Sequence, residues 1–282
     1  MTAPGNSTVG PPLRDPVEVL GREDTWDRVR TDLAECGSVL LCARLEDWAP
    51  QKSDGPELRQ LLGRDWSRYL DIAHPEIRLR YAASRTLLKY AAGAVLHGDP
   101  EELELSYGPT GRPYLRGCDQ IDISLSHTEN LLLVGLTTLG LIGVDAELAD
   151  RQLYSKGMGR HVCTPYELVT LANLPESDRN AGLVRLWTLK EAYSKAIGQG
   201  MQFRFTEFGF GPDGKPVRVH RPDGTPGTGA EWAFRTFLLP SGYCVSAAVF
   251  DAGFGRTFDT RLITMLDAET VEAVNAELYE GP

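Results

Sequence analysis

Long apolar runs are missing from this 282-residue sequence. None approaches the ~18–20 residues that a membrane-spanning helix needs, so no membrane partner is expected. Met1 to Pro16 has neither a basic stretch nor an apolar core, and no secretory leader is expected there. Cysteine is scarce. Cys36, Cys42, Cys118, Cys163 and Cys244 are odd in number and never spaced C-x-x-C. That argues against a disulfide framework or a cysteine zinc site and suits a reducing cytoplasm. Positive charge is in deficit: 29 Lys and Arg stand against 39 Asp and Glu, a net charge of −10, and the pI is about 5.1. Such a chain is a poor non-specific binder of nucleic acid or an anionic membrane. What remains is 42% hydrophobic and 24% charged, enough for one large or two small domains with an ample core.

Residues 1–15, rich in Gly, Pro, Ser and Thr, are expected to be disordered. Ser38 to Leu45 reads as a buried strand. Short helices are expected over 56–63 and 64–72, and Pro75 is placed to start a longer one over 76–96. That helix carries Arg78, Arg80 and Arg85, of which Arg78 and Arg85, seven residues apart, share one face. Gly108-Pro109-Thr110-Gly111-Arg112-Pro113 reads as a turn, followed by extended chain. Ile121 to Thr128 alternates as a strand and ends in Ser126-His127-Thr128. A Ser/His hydrolase is conceivable, but no G-x-S-x-G elbow is present and Ser126 directly precedes His127. Leu131 to Val144 reads as a β-hairpin turning at Thr-Thr-Leu-Gly. Asp145 and Glu147 follow, two apart on one strand face, where a hard divalent cation with oxygen ligands would relieve their repulsion. A helix is expected over 183–197, stopped by Gly198. Leu183, Leu186, Tyr193 and Ile197 form its apolar stripe, Lys190 falls inside it, and Glu191 lies just past its edge. An unpaired charge in that stripe would be costly, which suggests a charged site between strand and helix. The ordinary alternative for Glu191 and Lys195 is a surface i,i+4 pair. Strands are expected over 231–238 and 243–250. Gly211 to Pro216 repeats the G-P-x-G-[RK]-P pattern of Gly108 to Pro113. The tail 267–282 has a helical pattern.

Gly143-Val144-Asp145-Ala146-Glu147, followed by W-x-x-K-E-A-x-x-K-x-x-G over 187–198, resembles the 4′-phosphopantetheinyl transferases. The resemblance is to the larger, pseudo-dimeric, surfactin-synthetase-activating (Sfp) type, which serves polyketide and nonribosomal peptide synthesis. It spans roughly 76–250 and implies an α+β fold made of a pseudo-twofold pair of similar α/β halves. The halves would be 16–142, binding coenzyme A, and 143–266, carrying the metal and catalytic helix. It implies Mg²⁺-dependent transfer of 4′-phosphopantetheine from coenzyme A to a serine of an acyl or peptidyl carrier protein, by a cytoplasmic monomer. Asp145, Glu147 and Glu191 would hold Mg²⁺. Glu191 would be the base, with Lys195 and Lys190 stabilising phosphate charge and Asp145 completing the catalytic set. Arg85 would take the 3′-phosphate of coenzyme A. Gly111, Arg112 and Pro113 would lie along the nucleotide, and Ser126 and His127 would bind phosphate oxygens. Water would fill the coordination position that some relatives give a polar residue at Ala146. Residues 148–165 would dock an acidic carrier through Leu153, Tyr154, Met158 and Val162 amid Arg151, Lys156 and Arg160. Two other readings stay open: another metal-dependent phosphoryl-group enzyme, such as a hydrolase of coenzyme A or nucleotides, and a non-catalytic protein that binds coenzyme A or a carrier.

Overall fold

The computed structural model describes residues 10–199, 203–211 and 218–253. The first half runs β1 (Val17–Glu18), α1 (Asp27–Cys36), β2 (Ser38–Arg44), α2 (Leu45–Trp48), α3 (Pro56–Leu62), α4 (Asp65–Asp71), α5 (Pro75–Leu96), β3 (Leu105–Tyr107), β4 (Pro113–Leu115), β5 (Asp122–Thr128) and β6 (Leu131–Thr137). The second runs β7 (Gly140–Leu148), α6 (Gly159–Val162), α7 (Pro165–Asn173), α8 (Glu176–Ala196), β8 (Trp232–Leu238) and β9 (Tyr243–Asp251). The fold is α+β, and the halves repeat one plan. Each has a strand, a long helix and then a hairpin. The sheet orders are β1-β2-β6-β5 and β7-β9-β8, so in both the strand before the long helix pairs with the second strand of the hairpin after it.

Three layers of apolar contact follow from strand alternation. On β6, Leu132, Val134 and Leu136 face α5, where they meet Leu87, Leu88 and Val95. Leu131 and Leu133 point the other way, into a core shared with Ile142, Val144 and Ala146 of β7 and Val245 and Val249 of β9. Across the second sheet, Leu183, Leu186, Leu189 and Ala192 of α8 pack on Phe208, Phe210 and Phe234. A strand covered on both faces reads as unbroken apolar sequence, which is why β6 shows no alternation.

The expected hairpin over 131–144 does not form. Both edges of β6 are occupied, by β2 and β5, and β7 pairs with β9 in the other sheet. The chain changes layer at Thr137–Leu139, where the Thr137 hydroxyl and the Thr138 N–H donate to the Gly37 carbonyl at 2.8 and 2.9 Å. Helix α8 starts seven residues earlier than expected. Its first two turns are polar and carry no apolar period, but Glu176 and Asp178 suit the positive end of the helix. Residues 10–15, expected to be disordered, are packed: Leu13 is buried in the inter-sheet core, Arg14 pairs with Asp32 at 2.6 Å, and Asp15 pairs with Arg235 at 2.9 Å. One apolar side chain and three ion pairs, the third between Arg14 and Glu35, anchor this otherwise polar segment. Residues 1–9, the motif positions 212–216 and the tail 267–282 lie outside the described residues. All five cysteines are buried, and none is in a disulfide. No described helix is long and apolar enough to cross a membrane.

Candidate active site at the seam of the two halves

Edge strands β5 and β7 lie side by side, joined by side chains. Asp122, Ser124 and Ser126 share one face of β5. Asp122 Oδ2 accepts the Ile142 N–H at 2.7 Å, Ser124 Oγ accepts the Val144 N–H at 3.0 Å, and Ser126 Oγ donates to Asp145 Oδ1 at 2.8 Å. Beside this seam is a cavity of about 450 Å³. Arg85 of α5, the turn Thr110–Pro113, the end of β5 through His127, Asp145 of β7, and Lys195 and Gly198 at the end of α8 line it.

Gly143 is what lets the helix reach the strand. A Cβ there would stand 1.9 Å from the Ala192 carbonyl oxygen and 2.5 Å from the Ala196 nitrogen. Ala192 and Ala196 are the small residues on the matching face of α8. Gly198, at φ 70°, then ends the helix with its N–H on the Lys195 carbonyl at 3.1 Å. With the backbones this close, Lys195 Nζ reaches Asp145 Oδ1 at 2.7 Å, Ser126 Oγ at 3.0 Å and the Val144 carbonyl at 3.1 Å.

Asp145 Oδ2 is buried and has no hydrogen-bond partner among the described residues. Glu147, two residues on, pairs with Arg151. Loss of water pushes its carboxyl up in pKa, Arg151 opposes this, and Asp145 adds to it. Burial also raises Glu191, reinforced by Asp145 and Glu147 and opposed by Lys195. Three carboxylates therefore feel one another across β7 and α8. As these side chains lie, no group of three or more His, Cys, Asp or Glu among the described residues is close enough to hold a metal ion. An all-oxygen donor set with an orphaned carboxylate oxygen is nonetheless the kind that a hard divalent cation takes. Ala146 faces away from all of this, into the inter-sheet core, so its position is no part of that donor set.

The opposite wall is cationic. Arg85 lies over the Tyr81 ring, its guanidinium carbon 4.0 Å from the ring centre. His127 sits at the mouth of the cavity. Loss of water and the nearby charges of Arg85, Lys195 and Arg80 push its pKa below the ordinary histidine value. Arg80, whose Nε is buried without a partner among the described residues, was seen on this helix in the sequence but given no role there. The seven-residue spacing put Arg78 and Arg85 on one face without assigning Arg78 a contact. Arg78 is occupied in closing α4, donating through Nε to the Ile72 carbonyl at 2.8 Å.

Two expected site residues do other work. Lys190 is fully buried, on the side of α8 away from the cavity. Its Nζ meets Glu167 Oε2 at 2.6 Å and the carbonyls of Val162, Phe205 and Phe208 at 2.6–2.7 Å. Glu167 in turn closes the capping box of α7 with Thr164 and accepts the Phe210 N–H at 2.6 Å. Lys190 thus ties α8 to α7 and the aromatic core, and contacts no phosphate position. Arg112 does line the cavity, but its fork is spent. Nη1 and Nη2 grip Asp122 at 2.9 and 2.5 Å, Nη2 also reaches the Ile142 carbonyl at 2.9 Å, and Nε holds the Lys195 carbonyl at 2.8 Å. The carrier-docking stretch also changes. Leu153 and Val162 are core residues, and Tyr154 alone of the apolar four is well exposed. Neighbouring α7 supplies the exposed apolar face instead, through Tyr166, Leu168 and Val169.

The profile of the 4′-phosphopantetheinyl transferase superfamily matches residues 141–248, from β7 into β9. The 4′-phosphopantetheinyl transferase HetI of Nostoc sp. is 31% identical over 185 residues, 64% of this chain and 74% of that one. A phosphopantetheinyl transferase of Thraustochytrium sp. is 27% identical over 221 residues, 73% of this chain and 76% of its own. Among solved structures, a holo-(acyl-carrier-protein) synthase of Bacillus anthracis in complex with CoA (3′,5′-ADP) is similar over 40% of this chain and 96% of its own, at 23% identity and a TM-score of 0.29. With 31% identity across three quarters of HetI, and the family profile covering β7 and α8 on one side of the seam, the chain belongs to the 4′-phosphopantetheinyl transferase superfamily.

Proposed function

We propose that this protein is an Mg²⁺-dependent 4′-phosphopantetheinyl transferase of the surfactin-synthetase-activating (Sfp) type. In this reading it moves phosphopantetheine from coenzyme A to a serine of an acyl or peptidyl carrier protein and releases adenosine 3′,5′-bisphosphate. The observation that carries the reading is the meeting of Lys195, Asp145 and Ser126 within 3.0 Å of one another, in a cavity whose other wall holds Arg85 and His127. A repeated strand–helix–hairpin plan within one chain supports the two-half type.

In this mechanism Arg85, Ser126 and His127 hold phosphate oxygens of coenzyme A, with Gly111 and Pro113 as wall. Arg suits phosphate because its planar fork binds two oxygens at once. A divalent cation held by Asp145, Glu147 and Glu191 would neutralise charge on the pyrophosphate. Glu191, its pKa raised by burial and by its acidic neighbours, takes the proton of the carrier serine directly or through water. The serine oxygen forms its bond to the phosphorus nearer pantetheine as the bond from that phosphorus to the bridging oxygen breaks. Lys195, fixed by Asp145 and Ser126, stabilises the charge that develops. Tyr154, Tyr166 and Val169, with exposed Arg151 and Lys156 nearby, form the surface for an acidic carrier. Five buried cysteines without a disulfide are in keeping with a cytoplasmic setting.

The test is the intact mass of an apo carrier protein incubated with this protein, coenzyme A and Mg²⁺, with a chelator control. The expected result is a gain of one phosphopantetheine that the chelator abolishes. No gain on carriers from fatty-acid, polyketide and peptide systems would overturn the assignment.

A further inference from the structure

An arginine in an open cavity wall has many rotamers to lose when it grips an anion. Arg85 has lost most of them already. Its guanidinium carbon sits 4.0 Å above the ring of Tyr81, one helical turn back on α5. Its Nη1 donates to Ser84 Oγ at 3.1 Å, and Ser84 donates to the Tyr81 carbonyl at 3.0 Å. The ring beneath it is held as well. The Tyr81 and Tyr107 hydroxyls are 3.4 Å apart, and Tyr107 donates to Asp65 Oδ2 at 2.8 Å. Because the single Tyr107 proton goes to Asp65, the Tyr81 hydroxyl is the donor between the two tyrosines. Asp65 is buried at 4% exposure, so this anchor is rigid. Arg68 covers the Tyr107 ring at 4.3 Å. The result is a shelf of alternating arginines and tyrosines running from buried Asp65 to the cavity. Apart from Ser84, Arg85 has no hydrogen-bond acceptor among the described residues, whereas the fork of Arg112 is engaged on every nitrogen.

We propose that Tyr81, anchored through Tyr107 to Asp65, is a positioning residue that presets Arg85 for a phosphate monoester and so sets the preference for coenzyme A over its analogue lacking the 3′-phosphate. This rests on the transferase reading above. Phosphate affinity at Arg85 then comes from a guanidinium whose orientation is fixed before the substrate arrives, with the ring face attracting the cation from below.

The experiment compares coenzyme A with dephospho-coenzyme A for wild type, Tyr81→Phe and Tyr81→Leu. It follows carrier labelling for kcat and KM, and calorimetric binding without a carrier. Tyr81→Leu is expected to raise KM for coenzyme A roughly fivefold to tenfold, the size of a lost cation–π contact, and to leave KM for dephospho-coenzyme A in place. Tyr81→Phe, which keeps the ring but cuts its hydroxyl link to Tyr107, is expected to fall between wild type and Tyr81→Leu, with the preference reduced about threefold. A merely structural role would lower kcat for both substrates alike, and that result overturns the proposal. An unchanged preference in Tyr81→Leu overturns it too. If Tyr81→Leu does not fold, Tyr107→Phe cuts the hydroxyl link while keeping both rings, and it is expected to reduce the preference about threefold. No change there would also count against the shelf. Binding of both ligands by wild type with no carrier labelled would defeat the transferase reading while leaving the shelf measurable by calorimetry.

Discussion

Glu191 is half-buried, and its pKa is raised first by loss of water and then by the charges of Asp145 and Glu147. A base must be ionised to accept a proton. Turnover should therefore fall as the pH drops and Glu191 takes up a proton; without the cation that protonation comes above the ordinary carboxylate range. The linkage to stability has the opposite sense: the folded form holds its proton more tightly than the unfolded form, so Glu191 subtracts stability as the pH rises from its unfolded to its folded pKa. Glu191→Gln removes the titration. It is expected to keep the fold, melt no lower than wild type at neutral pH and lose at least about a hundredfold in turnover. Near-normal turnover in a pH–rate profile of the variant would take Glu191 out of the chemistry. Its neighbour Lys190 shows the limit of residue-level reading. The two are about 100° apart on the helix, and an apolar stripe says that a lysine there is buried without saying what meets it. Glu167 supplies the counter-charge from 23 residues away, and nothing in the local pattern points to it.

At the scale of elements, the site depends on how closely α8 approaches β7. Gly143 permits that approach, and a methyl group there would fall 1.9 Å from the Ala192 carbonyl oxygen. Backbone cannot swing away as a side-chain tip can, so Gly143→Ala must push the helix off the strand. It should lower stability by about 1–3 kcal/mol and move Lys195 away from Asp145 and Ser126. The readout is urea unfolding combined with carrier labelling, and a loss of turnover larger than the unfolded fraction explains is expected. Alternation placed Asp145 and Glu147 on one strand face from the sequence alone, whereas helical periodicity left Glu191 and Lys195 as an ordinary i,i+4 pair and only the family resemblance gave them roles. The partner of β6 was not legible in the same way. The run Leu131 to Leu136 is apolar on both faces, and period-2 reasoning has nothing to say about such a strand. Adjacency in sequence suggested pairing with β7, but β2, ninety residues earlier in the chain, already held that edge.

Across the whole molecule, the halves are joined by the sheet-to-sheet core and by a polar clasp at the seam. Arg112 projects from the first half to bind Asp122, and from there reaches the Ile142 and Lys195 carbonyls of the second. Asp122 Oδ2 completes the clasp by accepting the Ile142 N–H. The G-R-P motif was legible, but the carboxylate ten residues on that takes the fork of its arginine was not. Both side chains are mostly buried, at 20% and 14% exposure, so their coupling should survive screening by salt. A double-mutant cycle with Arg112→Met and Asp122→Asn is expected to give a coupling of about 1–2 kcal/mol in urea unfolding, since either change alone leaves the other group short of a partner. The kinetic expectation separates the clasp from a direct ligand contact. If Arg112 positions Lys195, both single variants should lower kcat in parallel while KM for coenzyme A moves little. If Arg112 instead binds the nucleotide, Arg112→Met should raise that KM and Asp122→Asn should leave it alone or lower it, by releasing the guanidinium to the ligand.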